Sequence, residues 1–417
     1  MQQTIAILGA GFGGLRAAML LGKALRRHKL TDWRVALVDR NDYHTYAPLL
    51  YEVSATPEEV ATYFDLKSIV TFPLRQVLGG LAVELVCDTV SGLDLPHGKV
   101  ALASGSSLDY DYLIIALGAE ARYYGIAGLQ EAALGLKTFD DAMRIRDAIW
   151  LSSCAVKKLI IVIGGGGSTG VELAGELQPW LNEITRAGRC STGITLLHAG
   201  ASVLSGFPQR VVEKVAARLG GLKVKILTNE RIVAVESGAH AVRLESGMQI
   251  PFDILIWTAG VKPNSILGKL PVQYESNGRL AVAEDLSLLA DGGTRLHGKV
   301  YGVGDAVYVG STSGDQAVPM TARSAIAQAS LAARNVIADI QGKPSIAYKP
   351  RNYPYIIPVG GKYAVAKIGP LVVAGFPAWL FKGGVELGYL LAILPPLHAL
   401  RVWFKGIKLF TLNDRLG

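Results

Sequence analysis

At 417 residues the chain is too long for one compact core, and two or three domains are expected. Half of it is hydrophobic and only 18% charged, which excludes a disordered polyelectrolyte; Cys87, Cys154 and Cys190 lie too far apart for a disulfide framework or a zinc site and favour a reducing compartment. The formal charge of +8 suits nucleic acid, an anionic membrane surface or anionic cofactors, but the lysines and arginines form no basic tract, which weighs against nucleic acid.

The chain runs from Met1 directly into an apolar strand, Thr4 to Leu8, without a basic or apolar leader, so cytoplasmic synthesis without export is expected. That strand opens a βαβ unit ending at Asp39, and its turn carries Gly9-x-Gly11-x-x-Gly14 with an additional Gly13. In such a turn the first glycine permits the tight bend, the second lets backbone approach a pyrophosphate, and the third lets helix pack on strand. Asp39, followed by Arg40, ends the second strand, where a carboxylate accepts hydrogen bonds from ribose hydroxyls. A loop of aromatics and prolines follows, then a β-rich stretch closing on the buried strand Tyr112 to Leu117 with Gly118.

A helical pattern from Phe139 to Ile149 leads to a second βαβ unit, Leu159 to His198, whose turn reads Gly165-x-Gly167-Ser168-Thr169-Gly170. Two fingerprints imply two dinucleotides, and hence electron transfer between them. Histidine stands where the second unit's acid belongs: it removes repulsion of a 2′-phosphate and, if protonated, attracts one, or it is merely solvated at a strand end. Another buried strand, Ile254 to Ala259 with Gly260, closes this half. After Gly304-Asp305, a small-residue helix from Thr321 to Asp339 has no fingerprint of its own and is placed back on the first domain. The expected fold class is α/β, with two doubly wound, Rossmann-like dinucleotide-binding domains. The first, for FAD, comprises 1–125 and 285–345; the second, for NAD(P)H, comprises 126–284; a C-terminal membrane-associating or dimerisation module occupies 346–417.

Taken together, these signals resemble the type II NADH dehydrogenases, single-chain FAD enzymes that reduce quinone at a membrane surface without pumping protons. Besides both fingerprints, the resemblance rests on Asn41-Asp42-Tyr43-His44-Thr45-Tyr46-Ala47-Pro48-Leu49-Leu50-Tyr51, on Leu136-Lys137-Thr138-Phe139-Asp140-Asp141-Ala142, on Val171-Glu172-Leu173-Ala174-Gly175-Glu176-Leu177, on Thr258-Ala259-Gly260-Val261-Lys262-Pro263 and on Gly302-Val303-Gly304-Asp305. It implies that Asp305, with Gly304, Thr321 and Ala322, holds the ribityl and pyrophosphate region of FAD. Ala116 to Gly118 and Thr258 to Gly260 are then loops over the two nucleotides, and Glu172 lies near nicotinamide and flavin. As an ordinary residue, Glu172 would be a first-turn acid stabilised by the helix dipole. Members of the family carry two glutamines four residues apart after the Gly-Asp motif; the corresponding positions here are Arg323 and Ala327, with Gln328 one residue out of register. Arginine donates to a quinone carbonyl, or holds charge on reduced flavin, more strongly than an amide. The quinone pocket is expected from Tyr46 to Tyr51, including Pro48, with the Arg323 helix and the C-terminal module.

In that module the uncharged run Leu387 to Leu400 contains Pro395 and Pro396 and is shorter than the about 20 apolar residues a spanning helix needs. Trp379, Phe381 and Trp403 interleaved with Lys382, Arg401, Lys405 and Lys408 suit helices lying in the interface, on the cytoplasmic face as a peripheral protein, or a buried homodimer contact. A sulfide:quinone reductase would need a cysteine beyond Cys190, and a disulfide reductase a close cysteine pair; neither is present. Reduction of a specialised quinone (demethylphylloquinone-like) or of a soluble acceptor, and a non-enzymatic flavin-bearing protein, are the alternatives. No metal site is expected.

Overall fold

The computed structural model describes residues 2–275, 277–291, 299–310, 318–351 and 353–414. In chain order, the strands of its two large sheets are Gln3–Leu8 (β1), Trp33–Asp39 (β2), Val83–Cys87 (β3), Tyr112–Ile115 (β4), Ala133–Leu134 (β5), Lys158–Gly164 (β6), Ser191–Leu197 (β7), Lys225–Leu227 (β8), Ile254–Trp257 (β9) and Val300–Gly302 (β10). The helices that matter below are Phe12–Arg27 (α1), Leu50–Ser54 (α2), Tyr63–Val70 (α3), Phe139–Ala155 (α4), Ser168–Arg186 (α5), Gln209–Gly221 (α6), Ala322–Ile340 (α7), Phe376–Ile393 (α8) and Pro396–Asn413 (α9).

The chain divides into two compact units: Met1–His44 with Phe72–Glu120 and Val261–Asn352, and Thr45–Thr71 with Ala121–Gly260 and Tyr353–Gly417. The first contains a five-stranded sheet in the order β10-β4-β1-β2-β3, every pair parallel. Strands buried on both faces must be continuously apolar, and Ile5 to Leu8, Val35 to Val38 and Leu113 to Ile115 have no exposed surface. The second unit repeats the design in the order β5-β9-β6-β7-β8, again all parallel. In both sheets the fingerprint strand is central, and its neighbours diverge at the carboxyl end, the point where open α/β sheets bind ligands.

This division differs from the sequence-based borders. Residues 45–71 and 121–125 lie in the second unit, residues 261–284 and 346–352 in the first, and the chain from Tyr353 onward is part of the second unit, not a third body. Packing explains the last difference. The hairpin around strands Tyr355–Pro358 (β11), Ala364–Ile368 (β12) and Leu371–Gly375 (β13) lies against α5 so closely that a Cβ on Gly175 would come within 2.9 Å of the Val359 carbonyl carbon. Arg218 of α6 donates to Val359 O at 3.2 Å and Gly360 O at 3.0 Å and stacks on Tyr363. Ala364, Ala366 and Ala378 then bury α8 on that sheet, α9 folds back with Trp403 Nε1 donating to Gly383 O, and Asn413 reaches Ala55 O. Gly175→Ala is therefore expected to cost about 1–3 kcal/mol by overpacking; a lowered urea midpoint, with faster proteolysis after residue 353, checks it.

Candidate functional site

The two glycine turns have the same geometry. Gly9 and Gly165 adopt φ of +94° and +120°, open only to glycine without strain. A Cβ on Gly14 would overlap the Gly9 carbonyl, and one on Gly170 the Gly165 carbonyl, whereas one on Gly11 or Gly167 would meet nothing within 4 Å. So the outer glycines are used for packing, and the middle one faces open space. Gly11 and Gly167 are also the N-cap residues of α1 and α5, and neither helix has a side-chain cap or an acid in its first turn. Each turn thus leaves first-turn N–H groups and the positive end of a helix available for an oxyanion, as Ser168 and Thr169 are for the second. These cradles fit dinucleotide pyrophosphates.

In the first unit, Asp39 accepts from Ala10 N at 2.6 Å and from Asn41 N at 2.8 Å, and burial pushes its carboxyl pKa up against those two donors. His44 is buried, with Nδ1 donating to Ala10 O at 2.8 Å; burial lowers its pKa to about 4, so it is neutral. Ala10 is thereby held from both sides. Ala116, Gly304 and Gly13 converge on the same sheet end: a Cβ on Gly9 would press on Ala116 O and one on Gly13 on Val303. Gly118 and Gly304 have φ of +65° and +75°. Asp305 occupies a short 3₁₀ turn, Gly304–Ala306, directly after β10. Thr321 caps α7 by accepting from Ser324 N, with Ala322 the first helical residue. Arg40 is exposed.

Gln328, one residue away from the glutamine register, is buried and accepts from Gly304 N at 2.7 Å, fixing the Gly-Asp turn. Arg323 is exposed at the start of α7, and Ala327, one turn on, is half-buried.

In the second unit, His198 takes the place that Asp39 takes in the first. Its Nδ1 accepts from Gly166 N at 3.2 Å, as Asp39 accepts from the residue after Gly9, and its Nε2 lies 3.0 Å from Ser205 Oγ. Ser205 gives its own proton to Ser202 O, so Nε2 carries the ring proton and donates to Ser205. Burial lowers the His198 pKa, and protonation would break the bond to Gly166. The residue is therefore a neutral acceptor rather than an electrostatic lure or a solvated bystander. Thr258 bonds Gly164 O and Gly165 O, and Gly260 turns with φ of +79°.

The second unit also collects ionisable side chains that sequence spacing did not bring together. Lys382 of α8 places Nζ 2.6 Å from Glu52 Oε1 of α2, and Tyr51 donates to the same oxygen at 3.0 Å; Glu52 Oε2 has no hydrogen-bond partner. Lys382 is thus buried in an ion pair, and Lys405 is bound to Asp65 at 2.8 Å, so neither is the free surface cation the sequence pattern indicated. Glu172 and Glu176, one turn apart on α5, are both raised to about 8 by burial; Lys382 opposes this and Glu52 adds to it. Burial raises Glu386 to about 7. Tyr46 stacks on Tyr389 with centroids 5.0 Å apart, and Pro48 lies in the 3₁₀ turn Ala47–Leu49 that leads into α2. Among the described residues there is no cluster able to hold a metal ion.

A family profile described as "Pyridine nucleotide-disulphide oxidoreductase" matches residues 3–329. A type II NADH:quinone oxidoreductase of Mycobacterium tuberculosis is 30% identical, the match covering 96% of this chain and 87% of that one. A demethylphylloquinone reductase of Synechocystis is also 30% identical, over 82% and 80% of the two chains. In fold, the chain superposes on NDH2 from Plasmodium falciparum with a TM-score of 0.80, at 19% identity and covering 97% and 98%.

Glu172, Glu176 and Glu386 hold protons more tightly in the folded chain than at the ordinary value of 4.5, so the stability they confer is complete below that pH and is lost as pH rises through about 7 to 8. Glu176→Gln, which stays neutral, is therefore expected to gain stability relative to the parent as pH rises from 4.5 to about 8 and to hold that gain above it, as read by paired denaturant midpoints.

Proposed function

From its membership of the pyridine nucleotide-disulphide oxidoreductase family, and within it of the type II NADH:quinone oxidoreductases, we propose that this chain passes two electrons from a reduced nicotinamide nucleotide through FAD to a quinone. The observation that carries this reading is the pair of bare helix N-termini, one in each unit, behind Gly11 and Gly167. FAD, when bound, supplies the ring that accepts hydride and releases electrons. Gly9, Gly11, Gly13, Gly14, Asp39 and Arg40, with Ala116, Gly118, Gly304, Asp305, Thr321 and Ala322, would hold it in the first unit. Gly165, Gly167, Ser168, Thr169, Gly170, His198 and Gly260 would hold the nicotinamide nucleotide in the second. Glu172 keeps a proton at neutral pH and offers an O–H donor near the reacting ring. Tyr46, Pro48, Arg323 and Ala327 are the proposed quinone contacts, with the arginine as a donor to a quinone carbonyl.

The same reading places the protein peripherally on a membrane. Among the described residues no helix is long and apolar enough to cross one. On α9, Leu397, Arg401, Phe404, Lys408 and Leu412 form one exposed stripe at helical spacing, and the three apolar members are each more than 60% exposed. Phe64 of α3, 79% exposed, stands on the helix that Lys405 ties to α9, so the surface extends beyond the C-terminal segment.

Anaerobic mixing tests the function: either NADH or NADPH should bleach the flavin, and quinone should restore its colour. A well-folded chain that cannot take up flavin overturns the reading. His198→Glu keeps an acceptor for Gly166 but adds charge, and should leave NADH binding within a few-fold while weakening NADPH. His198→Ala strands the Gly166 N–H and should weaken both by about 1–3 kcal/mol, measured by titration calorimetry. Replacing Phe404 and Leu412 by aspartate should abolish flotation with anionic liposomes while flavin reduction persists; if flotation persists and a dimer dissociates instead, the stripe is a subunit contact.

A further inference from the structure

Arg146, on α4, has more donors than the fold gives it acceptors. The residue is 6% exposed; Nε and Nη2 lie 2.9 Å and 2.8 Å from the same oxygen, Oδ1 of Asp147, while Nη1 is buried with no hydrogen-bond partner. A charged donor buried without an acceptor is costly, and an acceptor brought in by a ligand relieves that cost. Arg146 lines a recess in the second unit, together with Asp147 and Trp150 of α4, Trp180 of α5, and Pro57 and Glu58 from the turn after α2. Trp180 stands 12 residues beyond Ser168 on α5, about 18 Å along the helix axis at 1.5 Å per residue, so the recess is separate from the second glycine cradle.

The walls are held by the fold itself. α2 packs against both α4 and α5, and Arg146 and Trp150 stand one turn apart on the same face of α4. The Arg189 guanidinium stacks on the Trp150 ring at 4.0 Å and fixes that wall, while Trp180 and Pro57 are buried. Val60 N and Ala61 N both donate to Pro57 O, closing the turn that carries Glu58. Glu58 and Asp147 are exposed and Arg146 is not, so carboxylates stand at the mouth and the guanidinium lies deeper. The free space, counted out to the open mouth, is about 210 Å³. That is below the roughly 300–1,000 Å³ of pockets for drug-sized ligands, so the recess takes a small molecule.

The lining charges select the class of ligand. A simple anion would meet Arg146 but also two carboxylates, and a simple cation would leave Nη1 without an acceptor. A molecule carrying both charges answers both demands. We propose that this recess binds a small zwitterion, an α-amino acid with an apolar side chain. Its carboxylate accepts from Arg146 Nη1, its ammonium group faces Glu58 and Asp147, and its apolar body rests on Trp150, Trp180 and Pro57.

The test titrates the full-length protein with leucine, N-acetylleucine and leucinamide by calorimetry. Leucine should bind, and removing its ammonium charge by acetylation or its carboxylate by amidation should each weaken binding roughly tenfold or more, the size expected for one lost charged hydrogen bond. Glu58→Gln, at an exposed position, should weaken leucine by a similar factor while leaving flavin reduction by nicotinamide unchanged. Arg146→Lys should weaken leucine as well; if that variant fails to fold, Glu58→Gln decides alone. Equal binding of leucine and N-acetylleucine would mark an anion site, and equal binding of leucine and leucinamide a cation site; either result overturns the proposal. So does an absence of binding by leucine, phenylalanine and methionine alike at millimolar concentration. Binding that Glu58→Gln leaves unchanged puts the ligand elsewhere on the molecule and overturns it too.

Discussion

In each unit the third glycine of the fingerprint lies so near the carbonyl of the first that a side chain there would overlap it, and everything at the two cradles depends on that contact. Only with no side chain at Gly14 or Gly170 can α1 or α5 start directly behind its strand, with the helix axis aimed across the end of the sheet. That start fixes the uncapped N–H groups at the point where neighbouring strands diverge. The same alignment on α5 determines where Glu172 and Glu176 stand, one turn apart on the helix that the second cradle begins.

From there the chemistry is a matter of how much charge the interior accepts. A buried lysine paired with one glutamate is tolerated because each satisfies the other, but burial pushes Glu172, Glu176 and Glu386 into the neutral range, where they keep protons, with Lys382 only partly opposing it. The C-terminal segment supplies Lys382 and Glu386 to this cluster and shields it, so the helices that would meet a membrane are also part of the electrostatic interior.

Features written in contiguous residues were legible in the sequence. Both glycine turns, the apolar strands behind them, Asp39 at its strand end and the Gly-Asp turn follow from local backbone demands, and the structure has them where periodicity and spacing indicated. What depended on distant partners was not. Lys382 read as a surface cation because Glu52, its partner, lies 330 residues earlier, and the isolated pattern of α8 cannot reveal a buried counter-charge. The attachment of the C-terminal segment to α5 was hidden for the same reason: Gly175 looks like an ordinary helical glycine until Val359 is laid across it. The bond from Gly304 N to Gln328 was hidden too, because it joins the helix to a turn 24 residues earlier that the helical pattern does not show.

The matched roles of Asp39 and His198 have one further consequence. What the glycine loop requires of the strand end is a lone pair aimed at a backbone N–H, and a carboxylate and a neutral imidazole both supply one. Loop architecture and net charge are therefore separable at this position. Over evolutionary time, a lineage can exchange one acceptor for another at this position without passing through an intermediate in which the turn comes undone.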